Sequence, residues 1–272
     1  MTRINLSPSI AQRLLSEGPL SAWANHRKLG NLAGPPSDSQ LEGRLVHAAV
    51  LEDTSDLVIV EADSFRTKDA KAIRDAALAD GKTPVVAPKW EGFKKRAFGI
   101  RESLANRNVF LDGRTEVRFN WVEDVEGGRI VNCSGVLDEW NEGDMVTDLK
   151  GCGSTFPTTH FCKGQISRSH ALLQDAAYKS AVAERLGCDR DEVTVRFAFV
   201  QTEEPFASKI IELSKEFQEI SYIRWRRAID QWHELLELGV EKEHWDRDMD
   251  VETIYPDGWL LTQELELEAM ES

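Results

Sequence analysis

Apolar positions along the chain change period several times, and each change marks an element. Ile10, Leu14 and Leu15 follow Ser7-Pro8-Ser9 at helical spacing. A serine N-cap with proline at the first helical position predicts a helix start there. A second helix is expected over 40–52, after a loop at Gly30–Asp38 that holds Pro35-Pro36. Residues 67–80 and 90–107 read as amphipathic helices, broken between them at Gly81-Lys82-Thr83-Pro84. From Glu116 the period becomes two: Val117, Phe119 and Trp121 alternate with polar neighbours, which predicts a strand. Two more strands are expected over 129–139 and 145–150, joined by a tight turn at Asn141–Asp144. A helix follows over 168–187, with Leu172, Leu173, Ala176 and Ala177 near one face and Gly187 as its C-cap. Val193, Val195, Phe197 and Phe199 alternate as a fourth strand, and a long helix over 214–238 ends at Gly239. The acidic tail Glu264–Ser272 is expected to fray. No repeat or linker interrupts this order. It predicts an α/β fold, a central mixed β-sheet flanked by helices, in one domain spanning 1–272.

Composition narrows the class. Apolar residues make up 41%, as in folded globular chains. No apolar run approaches the roughly 20 residues that span a bilayer. Met1-Thr-Arg-Ile-Asn-Leu has no apolar core of signal-peptide length. A cytoplasmic protein with no membrane partner is therefore expected. Cys133, Cys152, Cys162 and Cys188 form no C-x-x-C pair and read as four reduced thiols. The formal net charge of −14 argues against a nucleic-acid partner, but binding to DNA depends on local basic patches. Lys94, Lys95, Arg96 and Arg101 form one; Arg224, Arg226 and Arg227, interleaved with Tyr222, Trp225 and Trp232, form another. Each is either a DNA contact or a solvated helix face, and the sequence leaves both open.

The candidate chemistry centres on Gly135-Val136-Leu137-Asp138 and Thr147-Asp148-Leu149-Lys150. If Glu142–Asp144 form a three-residue loop, Asn141 pairs with Met145 and Asp138 falls opposite Asp148. Directly opposed Cβ atoms lie about 4.5–5.5 Å apart. Two carboxylates that close repel unless a cation lies between them. Lys150, two residues beyond Asp148, projects from the same face. Two hard oxygen ligands beside an ammonium suit magnesium and a phosphate ester. Charged residues on an exposed strand face need no function, but Leu137, Met145 and Val146 make these strands apolar enough to be central, and charge on a central strand needs a reason.

A spaced D…D-x-K on adjacent strands resembles the core of the PD-(D/E)xK, or restriction-endonuclease-like, nucleases. Three further elements are similar to the RecE/RecB branch, in its order. Gly43-Arg44-Leu45-Val46-His47 resembles its G-x-x-x-H helix, Gly135–Asp138 its G-x-x-D strand, and Gln174-Asp175-Ala176-Ala177-Tyr178 its Q-x-x-x-Y helix. The Ser7–Ala22 stretch and Gln201–Phe206 also look like RecE-type exonucleases of phage and prophage origin, so the resemblance covers about residues 7–260. Leu137 replaces the proline of the namesake motif, and Asp148 stands where Glu is often found; both variants are usual in this branch. Some relatives carry an iron–sulfur cluster on one early and three late cysteines. Here all four lie mid-chain, and none is implied.

The resemblance implies roles. Asp138, Asp148 and the Leu149 carbonyl would hold Mg2+, with Mn2+ as substitute, and Lys150 would orient the attacking water. His47 would be a further ligand, although a lone histidine in Leu45–Leu51 reads locally as a packing residue. Gly43, one turn earlier, would let the metal hairpin or DNA approach. Gln174 and Tyr178, four apart on one helical face, would reach the DNA backbone. Glu116, which opens a strand beside the hairpin, is a candidate to complete the metal sphere. The implied enzyme is a bacterial or phage-encoded exonuclease that degrades linear double-stranded DNA 5′→3′ and leaves 3′ single strands for an annealing protein. A homo-oligomeric ring, trimer or tetramer, is implied as well, and basic residues lining its hole would reconcile the net charge with DNA binding. Alternatives are a structure-specific or restriction-like endonuclease on the same core, and a catalytically silent DNA-binding module.

Overall fold

The computed structural model describes residues 3–32, 34 and 36–246. The tail expected to fray lies outside them. The chain opens with α1 (Pro8–Glu17), α2 (Pro19–Asn25), α3 (Asp38–Leu51), β1 (Leu57–Val60), α4 (Lys68–Ala79), β2 (Thr83–Val86) and α5 (Ala87–Ala105). It continues with β3 (Arg114–Val125), β4 (Arg129–Trp140), β5 (Met145–Gly151), α6 (Thr159–Arg168), α7 (Ala171–Leu186), β6 (Thr194–Val200), β7 (Ser208–Glu212) and α8 (Lys215–Leu238).

Local chemistry sets most helix starts. Ser7 Oγ accepts the Ile10 N–H at 3.4 Å, just ahead of Pro8. Ser37 and Gln40 form a reciprocal capping box on α3, and Thr67, Thr158 and Ser214 cap α4, α6 and α8. Each cap satisfies an N–H that the helix itself cannot, worth about 1 kcal/mol. Gly187 closes α7 with φ 69°, a conformation that costs other residues strain.

Strands β3-β4-β5-β6-β7 form one sheet in that order. β5 and β6 run parallel, joined through α6 and α7, and every other neighbouring pair is antiparallel. Helices cover both faces. Along β6, Val195, Phe197 and Phe199 enter a core shared with α1, α7 and α8. Ala198 and Val200 enter a second core with α3 and α5. Alternate residues of a strand point to opposite faces, so one sheet supports two layers. This is the mixed α/β sandwich that the pattern predicts. Among the described residues no helix is long and apolar enough to cross a membrane.

The small elements differ from expectation. β1 and β2 form a separate two-stranded parallel sheet. Thr83-Pro84, expected as a break, lies inside β2. In a two-stranded sheet each strand has a free edge, where a missing N–H is tolerated. The helix expected from residue 168 starts at Ala171, because Ser169 is extended (φ −111°, ψ 175°) and separates it from α6.

A buried polar knot ties α8 to the sheet. Glu123 on β3, 8% exposed, accepts hydrogen bonds from Trp121 Nε1 at 3.1 Å, Trp225 Nε1 at 2.8 Å and Arg226 Nη1 at 3.2 Å. Arg226, a candidate DNA contact by its place in a basic run, is therefore committed to an internal ion pair. Trp225 and Trp232 are fully buried and offer no stacking surface. Glu123→Ala would leave two buried indole N–H groups without a partner and strip Arg226 of its buried one, leaving it Asp124 O and the exposed Asp230. Breaking a buried pair from one side costs about 3–5 kcal/mol. A denaturant titration should show that loss as a lower midpoint with an unchanged slope.

Candidate metal centre

The hairpin register follows from its turn. Asn141 N–H donates to Met145 O at 3.2 Å, and Trp140 pairs with Val146 and Glu139 with Thr147. Asp138 and Asp148 fall at the next opposed position, where the ladder stops. There the Asp138 carboxylate, rather than its backbone, accepts the Leu149 N–H at 2.7 Å. The two strands part around that bond, and the fork between them holds the charged groups.

Three ligating side chains converge at the fork. His47 on α3 places Nδ1 3.0 Å from Glu116 Oε1 and Nε2 2.9 Å from Asp138 Oδ2. One ligand atom from each of these residues lies within 4.8 Å of the other two. Glu116 adopts φ 50°, a left-handed conformation that costs a non-glycine residue about 1–3 kcal/mol. Such strain persists where the surroundings over-determine it, and here it accompanies the contact with His47. Burial opposes charge on the His47 imidazole, but Asp138 and then Glu116 outweigh it and raise its pKa to about 10. Burial likewise disfavours the Asp138 carboxylate, yet His47, Lys150 and the Leu149 N–H hold its pKa below the usual range.

Asp148 belongs to a second, adjoining group. It is fully buried, and burial first, with Asp138 adding repulsion, lifts its pKa to about 6 against the pull of Lys150. Lys150 Nζ stands 2.5 Å from Asp148 Oδ2 and donates to Gln174 Oε1 at 2.8 Å. Gln174 Nε2 donates to Asp148 Oδ1 at 3.0 Å and to the Tyr178 hydroxyl at 2.7 Å, which in turn donates to Val136 O at 2.9 Å. Gln174 and Tyr178 are 6% and 3% exposed. Their expected reach to a DNA backbone is corrected: they point inward and fix Asp148 and Lys150. Gly135 explains its place in the motif, because a Cβ there would come within 3.3 Å of the Tyr178 ring.

The donor set fits a divalent cation. His47, Glu116 and Asp138 offer two hard oxygens and an imidazole nitrogen, a set that magnesium or manganese accepts. Asp148, whose Oδ2 is paired with Lys150, interacts electrostatically with Asp138 and His47. Leu149 donates its N–H into the fork, to the Asp138 carboxylate. Gly43 does not serve the close approach of the hairpin, since a Cβ there would meet nothing within 4 Å. Glu116, a candidate to complete the metal sphere, does stand in the cluster. Val125 pairs with Arg129 around Gly127-Gly128, and counting outward along that ladder places Glu116 opposite Asp138.

The basic runs stand among acidic neighbours. Arg224 and Arg227 line a depression between α1 and α8 that includes Glu234, and Glu219 and Asp230 share the outer face of α8 with Arg227. That face is of mixed charge. Lys94, Arg96 and Arg101 pair with Glu91, Glu42 and Glu52.

No family model matches the chain, and no curated protein matches its sequence. A crystal structure from Eubacterium rectale, provisionally named an exonuclease, aligns over 95% of this chain and 93% of its own at TM-score 0.54 and 12% identity. That likeness shows the fold alone. The solved structure named SSO0001 aligns over 70% of this chain and 85% of its own at 15% identity, with TM-score 0.31, too low to argue from.

Gln174→Glu tests the inner network. It keeps the shape but sets a carboxylate against buried Asp148 in place of a donor. At pH 8, where both are ionised, the loss should be about 2–3 kcal/mol, a melting point lower by roughly 4–8 °C. At pH 5 one of the pair takes a proton and the loss should shrink. A thermal melt of both proteins at the two pH values checks this.

Proposed function

We propose that the protein is a divalent-metal-dependent deoxyribonuclease whose active centre is the β4–β5 fork. The observation that carries this reading is the His47–Glu116–Asp138 cluster standing against an Asp148–Lys150 pair on the neighbouring strand. The PD-(D/E)xK resemblance of the same residues supports it, as does the fold shared with the Eubacterium rectale protein.

His47, Glu116 and Asp138 would hold the ion, with Asp148 at its edge. Bound there, magnesium supplies an activated water and neutralises a phosphate oxygen. Lys150 offsets the charge that develops on the phosphate and orients the attacking water. Gln174 holds the lysine on one side and Asp148 on the other, so both keep their geometry before substrate arrives. Tyr178 anchors Gln174 to β4. His47 must release its proton before its nitrogen can coordinate, so lower pH should weaken metal binding.

The finer reading follows the RecE/RecB resemblance. The enzyme digests linear double-stranded DNA from its ends, 5′→3′, and passes 3′ single strands to an annealing protein. It works as a trimeric or tetrameric ring in the cytoplasm of a bacterium, from a host or phage gene. Magnesium is the working ion and manganese substitutes.

Incubation with end-labelled linear duplex and with closed circular duplex, in magnesium, tests the proposal. The linear substrate should be degraded and the circle spared. Cleavage of the circle would instead identify an endonuclease. Asp148→Asn and Lys150→Ala should each lower cleavage by about a hundredfold or more with unchanged folding. Activity within tenfold of wild type in either variant would refute the mechanism. His47→Ala should lose most magnesium-supported cleavage, with manganese restoring part.

A further inference from the structure

The longest stretch of the chain without Asp or Glu runs from Leu149 to Gln174, 26 residues in a protein with 47 acidic residues among 272. It begins and ends at the fork. It contains Lys150, Lys163 and Arg168, with His160 and His170. α6 packs through Cys162 and Ile166, which leaves His160, Lys163 and Arg168 exposed. Among the described residues neither Lys163 nor Arg168 forms an ion pair, unlike Arg96, Arg101 and Arg226.

The loop between Lys150 and α6 carries Phe156, which is 57% exposed. Its backbone is pinned on both sides. Cys152 N–H donates to Val200 O at 2.8 Å, Thr202 N–H to Gly153 O at 2.9 Å, and Gln201 Nε2 to Ser154 O at 2.7 Å. Beyond the ring, Pro157 is buried and Thr158 Oγ1 accepts the Phe161 N–H at 3.2 Å. A fixed loop that leaves an aromatic ring in water has little more order to lose when a planar partner stacks on it.

We propose that this loop and α6 form the track for a single DNA strand at the cleavage centre, with a base stacked on Phe156 and phosphates held by Lys163 and Arg168. The track rests on the nuclease reading of the fork and adds which surface meets the substrate. Stacking on an exposed ring is tolerant of base identity, which suits an enzyme that must pass every sequence. A stretch free of carboxylates removes the repulsion that the rest of this acidic surface presents to phosphate.

Fluorescence anisotropy with a labelled oligothymidine strand in calcium, which accepts the same oxygen ligands, tests it alongside cleavage of linear duplex in magnesium. Phe156→Ala should weaken binding about tenfold, and Phe156→Trp should restore it. The double variant Lys163→Ala/Arg168→Ala should flatten the plot of log affinity against log salt by about 1.4. Arg224→Ala/Arg227→Ala should change neither quantity. If wild type cleaves DNA while the Phe156→Ala and Lys163→Ala/Arg168→Ala proteins bind and cleave as it does, the track is wrong and the fork stands. If wild type binds no strand and cleaves nothing with any divalent metal, both fall together.

Discussion

Glu116, Asp138 and Asp148 meet where β4 and β5 part, and the repulsion among these carboxylates is the constraint that organises the molecule around them. Like charges this close in a half-buried setting must be separated by cations or lose their charge. Two cations do the separating. His47 stands between Glu116 and Asp138, and Lys150 stands against Asp148. The two arrive from different directions, one from a helix on one face of the sheet and the other from the sheet itself. Gln174 comes from the helix on the opposite face and holds Asp148 and Lys150 together. The balance therefore depends on both helical layers docking on one sheet, and the two cores fix that docking.

The same balance separates holding from reacting. Asp148, Gln174 and Tyr178 are buried and hydrogen-bonded, so they fix geometry. His47, Glu116 and Lys150 remain partly exposed, as the proposed ion and phosphate would require. Strain at Glu116 fits this division. Its left-handed backbone accompanies the contact of its carboxylate with His47, and the long β3–β4 ladder holds it there.

Much of this was legible in the chain, because it is local. A turn at Asn141–Asp144 fixes the register of its hairpin, and the register fixes which carboxylates oppose. The order of strands and helices along the chain predicts a sheet flanked by helices, while the second apolar face of β6, at Ala198 and Val200, emerges only in the structure. What stayed hidden depends on distant partners. Nothing near Arg226 announces that Glu123, a hundred positions earlier, will bury and claim it. Gln174 and Tyr178 share a helix edge at i,i+4, which reads equally as solvent-facing or inward until the sheet is in place. β1 and β2, four residues each, are too short for periodicity to separate from loops.

If the cluster holds a divalent cation as proposed, that ion takes the place of a proton on His47. Isothermal titration of manganese into the wild-type protein at pH 7.5, in two buffers of different ionisation enthalpy, counts the protons displaced. Because Asp138 and Glu116 raise the imidazole pKa, manganese binding should release protons and should tighten as pH rises through neutrality. Manganese that binds without releasing a proton, or does not bind, would contradict it.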